Sequence, residues 1–118
     1  MAEIEVKQMD SPDETRTFDN GKVDFASVAG TKIGRFTLQP GWSWSGCVKP
    51  IVGTDTCQTH HVGVVLAGRI HIKLDDRTAE IGAGEAYSIP PGHDAWIVGD
   101  EPYVGIEFTS PDYAKPPS

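Results

Sequence analysis

Hydrophobic residues in this chain come in short runs broken by turn formers, and inside several runs they alternate with polar residues. RIHIKL (69–74) is the clearest case. Ile70, Ile72 and Leu74 fall on one face and Arg69, His71 and Lys73 on the other, the two-residue period of a half-buried strand. HVGVVLAG (61–68) is nearly continuous in small and apolar residues, as in a strand buried on both faces. VDFASV (23–28) and KIGRFTL (32–38) flank Ala29-Gly30-Thr31 and read as a hairpin, ended by Pro40-Gly41. TAEIG (78–82), AYSIP (86–90), HDAWIVG (93–99) and YVGIEF (103–108) follow, separated by Ala83-Gly84-Glu85, Pro91-Gly92 and Asp100-Glu101-Pro102. No stretch carries a 3.6-residue apolar period, so long helices are not expected. Short strands between regular turn signals predict an all-β sandwich or barrel.

The flanks differ in character. Residues 1–20 are polar, with turn formers at Ser11-Pro12-Asp13 and Asp19-Asn20-Gly21; they read as a flexible N-terminal arm with room for one short strand. Residues 21–110 form the predicted barrel. Residues 111–118 are Pro-rich and read as a C-terminal tail.

At 118 residues the chain fits one domain able to bury its own core without staples. Its net charge of −7 supplies no basic footprint for nucleic acid and opposes an anionic membrane surface. MAEIEVKQMD has no apolar signal-peptide region, and no apolar run approaches membrane-spanning length. The expected location is the cytoplasm, where Cys47 and Cys57 stay reduced.

Strand alternation sorts the histidines. His71 shares a face with Arg69 and Lys73, a solvated face. His61 shares one with Gly63 and Val65, and His93 with Ala95 and Ile97. Two histidines at strand starts, each facing apolar neighbours, need partners, and a metal is one such partner. Cys57 lies four residues before His61, within reach of the same point. Thiolate with imidazole suits zinc, copper or iron. The plain alternatives are a backbone-bonded His60-His61 turn, a Cys57 that merely fills core space, or a Cys47–Cys57 disulfide. Trp42 and Trp44 alternate after the Pro-Gly break, and with Trp96 they read as core or interface residues. Alternatively, Trp42 or Trp44 walls a pocket, with Tyr87, Arg35 and Glu107 as possible polar contributors.

VLAGRIHIKL followed by GAGEAYSIPPGHDAWIV resembles the cupin superfamily, from about Pro40 to Phe108. The resemblance implies a single jelly-roll β-barrel. The second cupin motif is matched by Gly84, Pro90 and Gly92, with its histidine arriving early as His93. The first motif departs further. Anchored on Gly68, it puts His61 where the family has glutamate, Cys57 on the second histidine and Asp55 on the first. His60 falls on a non-ligand position.

The ligand set implied by the resemblance is therefore Cys57, His61, His93 and Asp55, around a divalent ion. Zinc is preferred for a Cys-His-His set with an open position. Copper is an alternative, as is iron on a two-His-one-carboxylate triad using Asp55. The family also implies a small-molecule ligand or substrate: an enzyme using the ion as Lewis acid or oxygen-binding centre, a metal or metabolite sensor, or a structural module. A homodimer is expected, paired through residues 3–10 or 23–28.

Overall fold

The computed structural model describes residues 3–117. It contains nine strands and two single-turn helices: β1 Glu14–Phe18, β2 Gly21–Val28, β3 Thr31–Leu38, α1 Trp44–Cys47, α2 Lys49–Val52, β4 His61–Ala67, β5 Arg69–Leu74, β6 Arg77–Gly82, β7 Ala86–Ile89, β8 His93–Ile97 and β9 Tyr103–Glu107. They form two antiparallel sheets, one in the order β1-β2-β3-β9-β4-β7 and the other β6-β5-β8. The expected all-β jelly roll is what the chain adopts.

The alternation seen in the sequence decides which faces meet. Val23 pairs with Phe36 and Phe25 with Gly34 across β2–β3, and this inner face closes on Val65, Ile70, Ile72, Ala95 and Ile97 to make one core. His71 lies on the outer face of the smaller sheet, its ring stacked on Trp96 at 4.7 Å. The chain crosses from one sheet to the other at Gly68. Its φ is +79°, and a Cβ there would lie 2.6 Å from the Pro102 carbonyl oxygen, so only glycine fits the corner.

The one short strand for which the N-terminal arm had room is present. Part of the 1–20 arm is β1, paired with β2 from Glu14↔Phe25 to Phe18↔Gly21. The preceding residues lie on the outer face of the large sheet. There Arg35 bonds Asp10 at 2.9 Å and the Met9 carbonyl at 3.2 Å, while also holding the buried Asp24 at 3.0 Å. Arg35 is thus outside the barrel, not in a pocket. Of the 111–118 tail, Tyr113 and Ala114 are buried in the core. Residues 23–28 lie in β2, paired with β3 along their whole length and with β1 as far as Phe25, so residues 23–25 are not an open edge. Trp44 does not continue a strand from Trp42. Ser43 caps a helical turn there by accepting from the Gly46 N–H at 3.0 Å, yet both tryptophans end up buried.

Candidate metal centre

His61 is the first residue of β4 and His93 the first of β8, so they belong to different sheets and meet where the sheets converge. Cys57 arrives by backbone pairing: its N–H donates to the His93 carbonyl at 2.8 Å, and its own carbonyl accepts from the Gly92 N–H at 2.7 Å. The motif glycine thereby docks the cysteine beside the histidine. One candidate ligand atom from each of Cys57, His61 and His93 lies within 4.8 Å of the others, and all three residues are buried. Cys57 Sγ is 3.6 Å from His61 Nε2, and the two imidazole centroids are 5.0 Å apart.

Both rings are oriented from behind. The His93 Nδ1 faces the Pro90 carbonyl oxygen at 2.7 Å. A carbonyl only accepts, so Nδ1 carries a proton and Nε2 is the ring nitrogen turned toward the cluster. The His61 Nδ1 faces Glu107 Oε1 at 2.5 Å. That carboxylate is 5% exposed and also accepts from Ser110 Oγ at 2.5 Å and Tyr87 Oη at 2.5 Å. Tyr103 donates onward to Tyr87 at 3.4 Å. Gly63 makes room for this network. A Cβ there would sit 2.8 Å from Glu107 Cγ and 3.0 Å from Tyr87 Oη.

The charges follow from the geometry. Burial pushes the Cys57 thiol up, but hydrogen bonds and charge from His61 and His93 outweigh it and bring it down to about 6. Burial likewise pushes His61 down, and Cys57 with Glu107 more than reverses this, to about 9. Near neutrality, with no ion bound, the pair is a thiolate facing an imidazolium. Burial, then the Glu107 charge, holds the Tyr87 phenol far above its usual range, so it stays a hydrogen-bond donor.

The other expected residues divide. Trp42, Trp44, Tyr87 and Glu107 all line a chamber of about 30 Å³ beside His61 and His93. Asp55 does not join them. Its side chain is fully exposed and 3.8 Å from Lys49, because residues 53–56 are an irregular loop where strand alternation does not hold. His60 points outward to Ser88 Oγ at 3.0 Å, and Cys47 and Cys57 are free thiols with no disulfide between them. Sequence reasoning missed Ser110, Tyr103 and Tyr113. The Tyr113 ring lies 5.5 Å from His61 and 4.8 Å from Phe36, centroid to centroid. An aromatic residue within the polar, Pro-rich run SPDYAKPPS was the available signal.

No protein-family model matches the chain, and no curated protein does. Solved structures do. A Cupin 2 conserved barrel domain protein from Salinispora arenicola shares 17% identity over 92% of each chain, with a TM-score of 0.61. An uncharacterized conserved protein with a double-stranded beta-helix domain from Klebsiella pneumoniae shares 15% over 92% of this chain and 91% of its own, TM-score 0.61. The polyketide cyclase RemF from Streptomyces resistomycificus shares 17% over 91% of this chain and 79% of its own, TM-score 0.64. At such identities the likeness is one of architecture: the chain has the double-stranded β-helix fold of the cupins.

Proposed function

We propose that this barrel holds one divalent metal ion on Cys57, His61 and His93, with a further coordination position open to a small molecule. The observation that carries this is the donor geometry. A tetrahedral zinc with ordinary Zn–S and Zn–N bonds sets sulfur and nitrogen about 3.5 Å apart, and Cys57 Sγ and His61 Nε2 stand 3.6 Å apart. Both Nδ1 atoms are already engaged by acceptors, as in carboxylate–histidine–metal arrangements that fix ring orientation and tautomer. One thiolate and two imidazoles favour zinc, with copper as the alternative. The iron reading loses its carboxylate, because Asp55 is at the surface and Glu107 is committed to His61.

When bound, the ion supplies a Lewis acid at its open position. The chain's own residues hold it there: Glu107 accepts from the His61 Nδ1–H and the Pro90 carbonyl from that of His93, which fixes both rings. Glu107 lines the chamber, but its carboxylate already accepts from His61, Ser110 and Tyr87, so binding or sensing of a small ligand is favoured over acid–base catalysis. Polyketide cyclisation, the activity named for RemF, does not carry over, because a chamber of about 30 Å³ has no room for such a ring system. A cytoplasmic setting, where thiols stay reduced, would keep Cys57 available as a ligand. Among the described residues no helix is long and apolar enough to cross a membrane.

The pH dependence tests this reading. In the metal-free protein near pH 7, Cys57 is already deprotonated and His61 carries an extra proton. Loading should therefore release about one proton per ion. The apparent affinity should rise about tenfold per pH unit between about 6 and 9, the span set by the two groups, and level off above it. Zinc titrations by calorimetry in buffers of different ionisation enthalpy measure this. Affinity independent of pH across that span would remove His61 from the ligand set.

The homodimer belongs to the same proposal and rests on the arm. Ile4 and Val6 are 96% and 82% exposed, at alternate positions in the arm that precedes the edge strand β1, as a segment that pairs with another copy would be. Light scattering should give a dimer that Ile4→Asp/Val6→Asp converts to monomer. A monomeric parent chain at micromolar concentration would refute it.

A further inference from the structure

The chamber beside the cluster is small, and Trp44 and Tyr113 divide it from a larger groove. Its volume of about 30 Å³ is two to three times the roughly 10–15 Å³ that one water requires. On the outer side of Tyr113 lies an open groove of about 170 Å³ whose lining includes Val52, Thr54 and Cys57. Trp44 and Tyr113 line both spaces, so their rings form the partition. Trp44 is anchored in α1, within the core. Tyr113, equally buried, belongs to the C-terminal segment, outside any strand or helix. Its carbonyl accepts from Arg16 Nη1 at 2.8 Å, its N–H donates to the Ser110 carbonyl at 3.3 Å, and Ala114 beside it has a left-handed φ of 58°, a conformation that costs a non-glycine residue energy.

We infer that Tyr113 sets the size of ligand admitted to the metal-side chamber, limiting it to molecules of two or three non-hydrogen atoms. This rests on the metal reading above and specifies the ligand class. The walls are mostly apolar, Phe36, Leu38, Ile70 and Ile72 among them; of the polar groups that share the lining, Glu107 is committed to His61, Ser110 and Tyr87, and the buried Trp42 Nε1–H has no hydrogen-bond partner among the described residues. A small, weakly hydrated molecule such as a diatomic gas or a linear triatomic anion fits their chemistry.

The test uses the full chain loaded with Co(II), whose visible bands report both the thiolate ligand and any added one. Azide should shift the bands of the parent protein, while imidazole should bind at least about 100-fold more weakly through steric exclusion. Tyr113→Ala should narrow that gap to within about tenfold. Arg16→Gln leaves the chamber walls intact but frees the segment, and should move imidazole binding in the same direction. Equal response to azide and imidazole in the parent protein would overturn the gate while leaving the metal site standing. No response to azide would show that no ligand position is open. Absence of a thiolate–cobalt band would overturn the metal reading and this inference together.

Discussion

Cys57→Ala is expected to reduce bound metal from about one ion per chain to less than about a tenth, through an affinity loss exceeding about 100-fold. Partners behind the ligands are commonly worth 10–100-fold on their own, and Cys57 is a ligand. It supplies the only anionic donor in the cluster, and its removal leaves two imidazoles at the meeting of the two sheets. Alanine should not disturb the scaffold, because Cys57 is positioned by backbone hydrogen bonds to His93 and Gly92 that the substitution retains. Elemental analysis of protein purified without a chelating tag reads the result. His71→Ala, on the outer face against Trp96, should keep full occupancy. Equal occupancy in the two variants would sink the ligand assignment.

Glu107→Ala should be the most disruptive substitution near the site. The carboxylate accepts from His61, Ser110 and Tyr87 inside the protein. Deleting it leaves three buried donors without an acceptor and His61 without its counter-charge. Breaking a buried charged pair costs about 3–5 kcal/mol, and each orphaned polar group adds to the cost. In the variants that fold, metal affinity should fall about 10–100-fold, since the His61 ring loses the group that fixes its tautomer. Glu107→Gln, which keeps one acceptor oxygen, should lie between alanine and the parent in denaturant midpoint. A Glu107→Ala protein with unchanged stability and unchanged affinity would show that the network does not support the site.

The parts of this site legible in the sequence were those governed by strand periodicity. His61 and His93 stand at strand starts with apolar neighbours two and four residues on, and paired strands preserve that alternation, so their inward aim could be read directly. Cys57 was reachable by counting back from Gly68, because its backbone pairs with His93. Asp55 failed by the same count: two residues earlier the chain is an unpaired loop, and a period of two has no meaning there. Trp42 and Trp44 read only as an alternating pair because one helical turn is too short to leave a 3.6-residue signature. Ser43 was the only local cue. β1, reading ETRTF, alternates between polar residues, so no hydrophobic pattern announced it. Tyr113 was hidden for a different reason. Its burial depends on Arg16, 97 residues away in sequence, and on the space between Phe36 and His61, which no local pattern encodes.

X-ray absorption at the zinc edge on the purified chain puts the proposed coordination at risk in one spectrum. The expected result is a clear edge with one sulfur at about 2.3 Å, two imidazole nitrogens at about 2.0 Å and one further light atom. A first shell of nitrogen and oxygen alone, or no zinc edge above that of the buffer, would contradict a zinc ion held by Cys57, His61 and His93.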